Sequence, residues 1–216
     1  GRLPHLRLLV HGDGGRRPLI FARLVGCGLV FAGLLGAAPA FAHPHVFIEN
    51  RVAFDFADKK VEAITVHWQF DEIFSDDLLM QFDADGDGSF DKLESQAVAE
   101  GVLPNLAQFH YFIYVYVDGK LLDAVAPTDF VASAKDRIVS FQMSVKLPEP
   151  VDPYTQALAL EVNDREFYVE VDLPEKDAVT LKDASGVKCG ATIRDDLENA
   201  YFGGFVYPQE IALQCH

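Results

Sequence analysis

Val46-Phe47-Ile48-Glu49-Asn50-Arg51-Val52-Ala53-Phe54-Asp55-Phe56, a break at Asp58-Lys59-Lys60, then Val61-Glu62-Ala63-Ile64-Thr65-Val66-His67-Trp68-Gln69-Phe70: this stretch decides the fold. Val46, Ile48, Val52, Phe54 and Phe56 fall on one parity, with Glu49, Arg51 and Asp55 on the other. A period of two is the signature of a strand with one buried face. The second run alternates through Ile64, Val66, Trp68 and Phe70. Two such runs around a short polar break predict a β-hairpin.

After Phe70 the period changes. Ile73, Leu78, Leu79 and Phe82 fit a short helix over Asp71 to Phe82, with Ser75 as a candidate cap, and Lys92 to Phe109 reads as a second helical stretch interrupted near Gly101 and Pro104. From Tyr111 the chain is β again. Tyr111 to Val117 runs into an Asp118-Gly119 turn, and Ile138 to Val145 is a further strand. Ala157 to Val162 and Glu166 to Val171 flank Asn163-Asp164-Arg165, which predicts a hairpin. Ala178 to Lys182 and Ile211 to Leu213 look like late edge strands, and Asp195 to Tyr201 like one helical turn. The predicted class is α+β: one mainly antiparallel, sandwich-like β-domain over 43–216, with a helix–loop–helix inserted at about 71–110.

Between the two helices lies Asp83-Ala84-Asp85-Gly86-Asp87-Gly88-Ser89-Phe90-Asp91-Lys92-Leu93-Glu94. Asp83, Asp85, Asp87, Asp91 and Glu94 occupy positions 1, 3, 5, 9 and 12 of an EF-hand loop, and Ser89 offers its carbonyl at position 7. Gly88, at position 6, permits the positive-φ turn that brings these groups around one ion. Ca²⁺ takes about six to eight hard oxygens at roughly 2.3–2.6 Å, closed by a bidentate carboxylate. The alternative is a solvated acidic loop.

Residues 1–42 read as a leader. Arg2, Arg7, Arg16, Arg17 and Arg23 are followed by an apolar run from Leu24 to Leu35 and by Ala40-Phe41-Ala42. This is the order of a secretory signal, with cleavage expected before His43 and export from the cytoplasm. The run is short and rich in Gly and Ala for a membrane span. Its removal takes away five Arg and one Asp, so the formal charge goes from −15 to −19. Nucleic acid and anionic membrane need basic patches, and that charge excludes them as partners. The two cysteines that remain, Cys189 and Cys215, are expected to form a disulfide in an oxidising compartment. A soft metal site at Cys215-His216 is the rival reading.

Cleavage before His43 would place His43-Pro44-His45 at the new N-terminus. A free N-terminal His chelates through its amine and Nδ1, and a second imidazole would complete a brace for copper. His43 and His45 share a strand face, and Asp71 or Glu72, opposite them in the hairpin, is the expected third ligand. Imidazole with carboxylate suits Ni²⁺, Co²⁺, Zn²⁺ or Cu²⁺. His67 reads as a surface pair partner and His110 as a core-edge residue. No serine or cysteine nucleophile with a base, and no phosphate loop, stands out, so no enzyme is expected.

His43-Pro44-His45-Val46-Phe47, Trp68-Gln69-Phe70-Asp71-Glu72-Ile73-Phe74-Ser75, the Asp-rich loop and Tyr111-Phe112 together resemble one family. It is that of exported proteins described as periplasmic components of an ABC-type transport system, associated with nickel/cobalt-type permeases. The resemblance covers nearly the whole of 43–216 and implies a soluble periplasmic accessory to transition-metal transport, with a membrane metal permease as partner. It does not imply a two-lobed clamshell, because the chain is β-rich with no alternating βαβ pattern. Two other functions fit the residues: a calcium-stabilised interaction module without a transition metal, and a copper enzyme built on His43.

Overall fold

The computed structural model describes residues 44–216. The leader expected over 1–42, and His43, lie outside the described residues. Strands β1 (Val46–Ala57) and β2 (Lys60–Phe70) form the expected hairpin. Asp58 and Lys59 both take positive φ, 48° and 66°, which matches the turn to the twist of the strands. Val46, Ile48, Val52, Phe54 and Phe56 are all buried, as is Asn50 on the same parity. The inward set of β2 switches from odd to even between Val61 and Ile64, and a bulge lies there.

Helix α1 (Glu72–Phe82) and helix α2 (Lys92–Leu106) follow. Asp71, not Ser75, caps α1: its Oδ1 accepts from the N–H of Phe74. α2 runs without interruption through Gly101 and Pro104. A Cβ at Gly101 would meet the ring of Phe82 at 3.0 Å, so a larger residue there requires that ring to shift. The strand expected from Tyr111 starts later. His110, Tyr111 and Phe112 take left-handed φ of 54°, 54° and 58°, and β3 spans Ile113–Val117. β4 is Lys120–Leu121; β5 (Asp129–Lys135) and β6 (Ile138–Val151) join through Asp136 and Arg137, again at positive φ.

β7 (Leu158–Val162) and β8 (Val169–Asp172) are not a hairpin. β7 pairs with β3 in one sheet, and β8 runs parallel to β1 in the other. Asp164 causes the crossing: its carboxylate accepts from the N–H groups of Glu166, Tyr168 and Val169 at 3.0–3.1 Å. β9 (Val179–Lys182) pairs in parallel with β1 beyond β8. β10 (Cys189–Asp195) is an edge strand with little apolar alternation, and β11 (Gln209–Cys215) lies inside its sheet rather than at the edge. Asp195 to Tyr201 is not helical; a short 3-10 turn comes later, at Phe202–Gly204.

The first sheet has the order β5-β6-β2-β1-β8, with β9 also on β1; the second has β10-β11-β7-β3-β4. The fold is therefore α+β and mostly antiparallel, with the core between the sheets. Trp68, Phe54, Phe141, Leu160 and Ile211 are among its fully buried side chains. The helical insertion is tied to the first sheet by two serines. Ser75 Oγ accepts from Val139 N–H at 3.0 Å and Ser95 Oγ from Ala132 N–H at 2.9 Å. Cys189 and Cys215 are register partners and form the expected disulfide. No helix among the described residues is long and apolar enough to cross a membrane.

Candidate metal centres

The loop between α1 and α2 is built by its own backbone. Asp83 closes α1 by donating its N–H to Leu79 carbonyl, while its carboxylate accepts from Gly86, Asp87 and Gly88 N–H. Gly86 and Gly88 take φ of 74° and 82°, with nothing near where a Cβ would stand. Asp85 accepts from Asp87 N–H, and Asp87 accepts from both the N–H and the hydroxyl of Ser89. That hydroxyl, then the N–H, hold the Asp87 carboxyl below its usual value.

At the far end Asp91 caps α2, accepting from Leu93 and Glu94 N–H. Glu94, buried, reaches across the loop: Oε1 accepts from Ala84 N–H at 2.7 Å and Oε2 from Asp91 N–H at 2.9 Å. The result gathers three carboxylates, while those of Asp91 and Glu94 accept backbone N–H groups. Oxygens of Asp83, Asp85 and Asp87 lie within 4.8 Å of one another, and Asp91 and Glu94 close the loop behind them. Hard oxygens only, on a scaffold of inward N–H groups, are the donor set of a hard cation such as Ca²⁺. Asp83, Asp85 and Asp87 could hold one, joined by the Ser89 carbonyl, Asp91 and Glu94.

The second candidate lies where β1 begins. Phe47 N–H donates to Asp71 Oδ2 at 2.9 Å, and Asp71 N–H donates to Phe47 carbonyl at 3.0 Å. Asp71 thus stands beside Phe47, two residues from His45, as the hairpin register predicts. Both its oxygens already accept backbone N–H groups, because it caps α1 as well. Glu72 is exposed at the first turn of α1, and His45 is exposed with its ring 4.9 Å from that of Tyr168. A cleft of about 320 Å³ is lined in part by Phe47, Glu49, Asp71 and Asp172, but by neither His45 nor Glu72. His67 pairs with Arg51 across the hairpin; burial, then Arg51, push its pKa below the usual value. His110 stacks on Tyr114 at 5.4 Å, at the core edge.

Sequence reading missed Glu161. Alternation placed Ala157 to Val162 as an ordinary strand, yet Glu161 is only 1% exposed and burial, ahead of a hydrogen bond with Asp196, pushes its pKa up to about 7. The residues that cover it come from remote segments, so no local signal could have shown it.

A family model described as "Protein of unknown function (DUF1007)" matches residues 28–200. The chain belongs to this family. It is also similar, at 31% identity over 131 residues, to the "Uncharacterized 15.5 kDa protein in trpE 3'region" of Spirochaeta aurantia, an alignment covering 61% of this chain and 93% of that protein. Neither description states an activity. The match to the DUF1007 model takes in the acidic loop, the His45–Asp71 end and Glu161 alike.

Proposed function

We propose that this DUF1007 chain is an exported periplasmic accessory of transition-metal transport, of the nickel/cobalt type, which also carries an EF-hand-like structural Ca²⁺ site. The observation that supports it is the bond from Phe47 N–H to Asp71. It joins the start of β1, into which His43-Pro44-His45 leads, to the first turn of α1, and α1 ends in the acidic loop. Capture would fall to His43 and His45, with Asp71 or Glu72 beside them. Ca²⁺ in the loop would hold the two helices against the sheet and keep Asp71 in place. A membrane permease is the partner this reading requires.

Calorimetry of the exported chain with Ni²⁺, Co²⁺, Zn²⁺ and Cu²⁺ tests the first part. His45→Ala is expected to weaken binding of at least one of them tenfold or more, and equal binding by both proteins would reject the site. For the loop, affinity of about 10⁻⁴–10⁻³ M is expected, so 10 mM Ca²⁺ stabilises by roughly 1.4–2.7 kcal/mol. Glu94→Gln should lose most of that increment; melting unaffected by Ca²⁺ in the parent would refute it. A calcium-clipped interaction module without a transition metal is the second reading. It is favoured by the engagement of both Asp71 oxygens with backbone N–H groups.

A further inference from the structure

A polar side chain stands in the apolar seam between the two sheets. Asn50 belongs to the inward parity of β1, between Ile48 and Val52, with Trp68 opposite it on β2. It is 1% exposed, and neither its Oδ1 nor its Nδ2 meets a hydrogen-bond partner in the protein. An amide taken into an apolar interior keeps its demand for a donor and an acceptor. Folded proteins meet that demand with their own polar groups or with ordered water.

Asn50 borders a small cavity of about 10 Å³. Its other walls are Val162 from β7, Val171 from β8, Leu173 just after β8, and Gln209 and Ile211 from β11. The strand pairing accounts for it. β7 and β11 pair only as far as Glu161 opposite Glu210. The next pair along would be Val162 with Gln209, and here the chain leaves β7 to cross to the other sheet. Parting strands leave a gap, and Asn50 faces it from across the seam. Gln209 shares its parity with the buried Ile211 and Leu213, which puts it on the inward face of β11. Two amides, one from each sheet, thus border one gap, and no hydrogen bond joins them.

We infer that this cavity is a binding site for a single water molecule, hydrogen-bonded to the Asn50 amide and to Gln209, which bridges β1 of the first sheet and β11 of the second. Size and chemistry both point to water. One water needs about 10–15 Å³ and two to four polar partners. A larger ligand does not fit. A metal or ammonium ion would bring a charge that none of these lining residues offsets. A wholly apolar cavity would stay dry, and the two amides are what set this one apart. Leu173 also lines the cleft beside Phe47, so the site stands one side chain away from solvent.

Water–protein NOE spectra and ¹⁷O relaxation dispersion of the full exported chain test this. Cross-peaks are expected from a long-lived water to the methyl groups of Val171 and Ile211. Asn50→Leu keeps the volume and removes both amide groups. It is expected to lose those cross-peaks, together with the dispersion amplitude of one water, and thermal melting checks that it is folded. Gln209→Leu leaves Asn50 in place and removes the other partner; it is a second variant expected to lose the same cross-peaks. Absence of the cross-peaks in the parent, or their persistence in either folded variant, overturns the inference. So does a crystal structure in which the Asn50 amide bonds Gln209 directly.

Discussion

Ser75→Ala is expected to detach α1 from the first sheet more than its small change in volume suggests. Strand β6 pairs with β2 only as far as Ser140 opposite Gln69. The next N–H of β6 on that side, that of Val139, has no strand to reach. Ser75 Oγ takes it at 3.0 Å, in a site where both residues are fully buried. Removing the hydroxyl loses one hydrogen bond and leaves a donor that water cannot reach. Such an orphan costs about 1–3 kcal/mol. At roughly 2–4 °C per kcal/mol for a domain of this size, melting should fall by about 4–8 °C for a cost near 2 kcal/mol.

Ser95→Ala is the control. Ser95 Oγ accepts from Ala132 N–H at 2.9 Å, but on the edge strand β5, where the bond is only part-buried. Water can replace it there, so its cost should be about half or less. Circular dichroism gives the melting temperatures, and hydrogen exchange at Val139 gives the local opening. A Ser75→Ala variant within 1 °C of the parent, or less damaged than Ser95→Ala, would show that α1 is held by something other than this bond.

Replacing Cys189 and Cys215 by alanine frees a loop with a sequence separation of 26, which costs about 3.5 kcal/mol on the chain-entropy account; a reductant that leaves melting unchanged would contradict this. Glu161→Gln should flatten the pH dependence of stability. The folded-state pKa of about 7 lies above the ordinary 4.5, so the fold retains a proton the unfolded chain releases, and stability falls as pH rises between these values. Above pH 7 the variant should gain on the order of 2 kcal/mol over the parent, after allowance for solvent screening; denaturant titrations at pH 5 and 8 with equal differences would refute the burial argument. Asp164→Ala removes the acceptor of three N–H groups and should cost about 2–3 kcal/mol, with faster exchange confined to Glu166–Asp172; protection unaltered there would place the cause of the sheet crossing elsewhere.

What the sequence determined by itself was whatever rests on neighbours in the chain. Alternation between Val46 and Phe70 specifies the inward faces, since a one-residue slip would turn every side chain outward. The acidic loop is legible because a dozen consecutive residues place all its donors, and the Asp-rich spacing is preserved whatever the rest does. The disulfide followed from there being two cysteines beyond the expected leader, in an expected oxidising compartment. Tertiary structure decided what depends on segments far apart. Asn163-Asp164-Arg165 has the composition of a hairpin, but three N–H groups on Asp164 send the chain to the other sheet. β10 has so little apolar alternation that only its pairing with β11 reveals it. Asp71 looked like a ligand from its place opposite the histidines, and the fold made it a helix cap as well. Glu161 sits at an outward position of its strand and reads as solvated. Its burial comes from a loop some 35 residues later in the chain, around Asp196, and a dielectric environment assembled from distant segments leaves no mark on any local stretch of sequence.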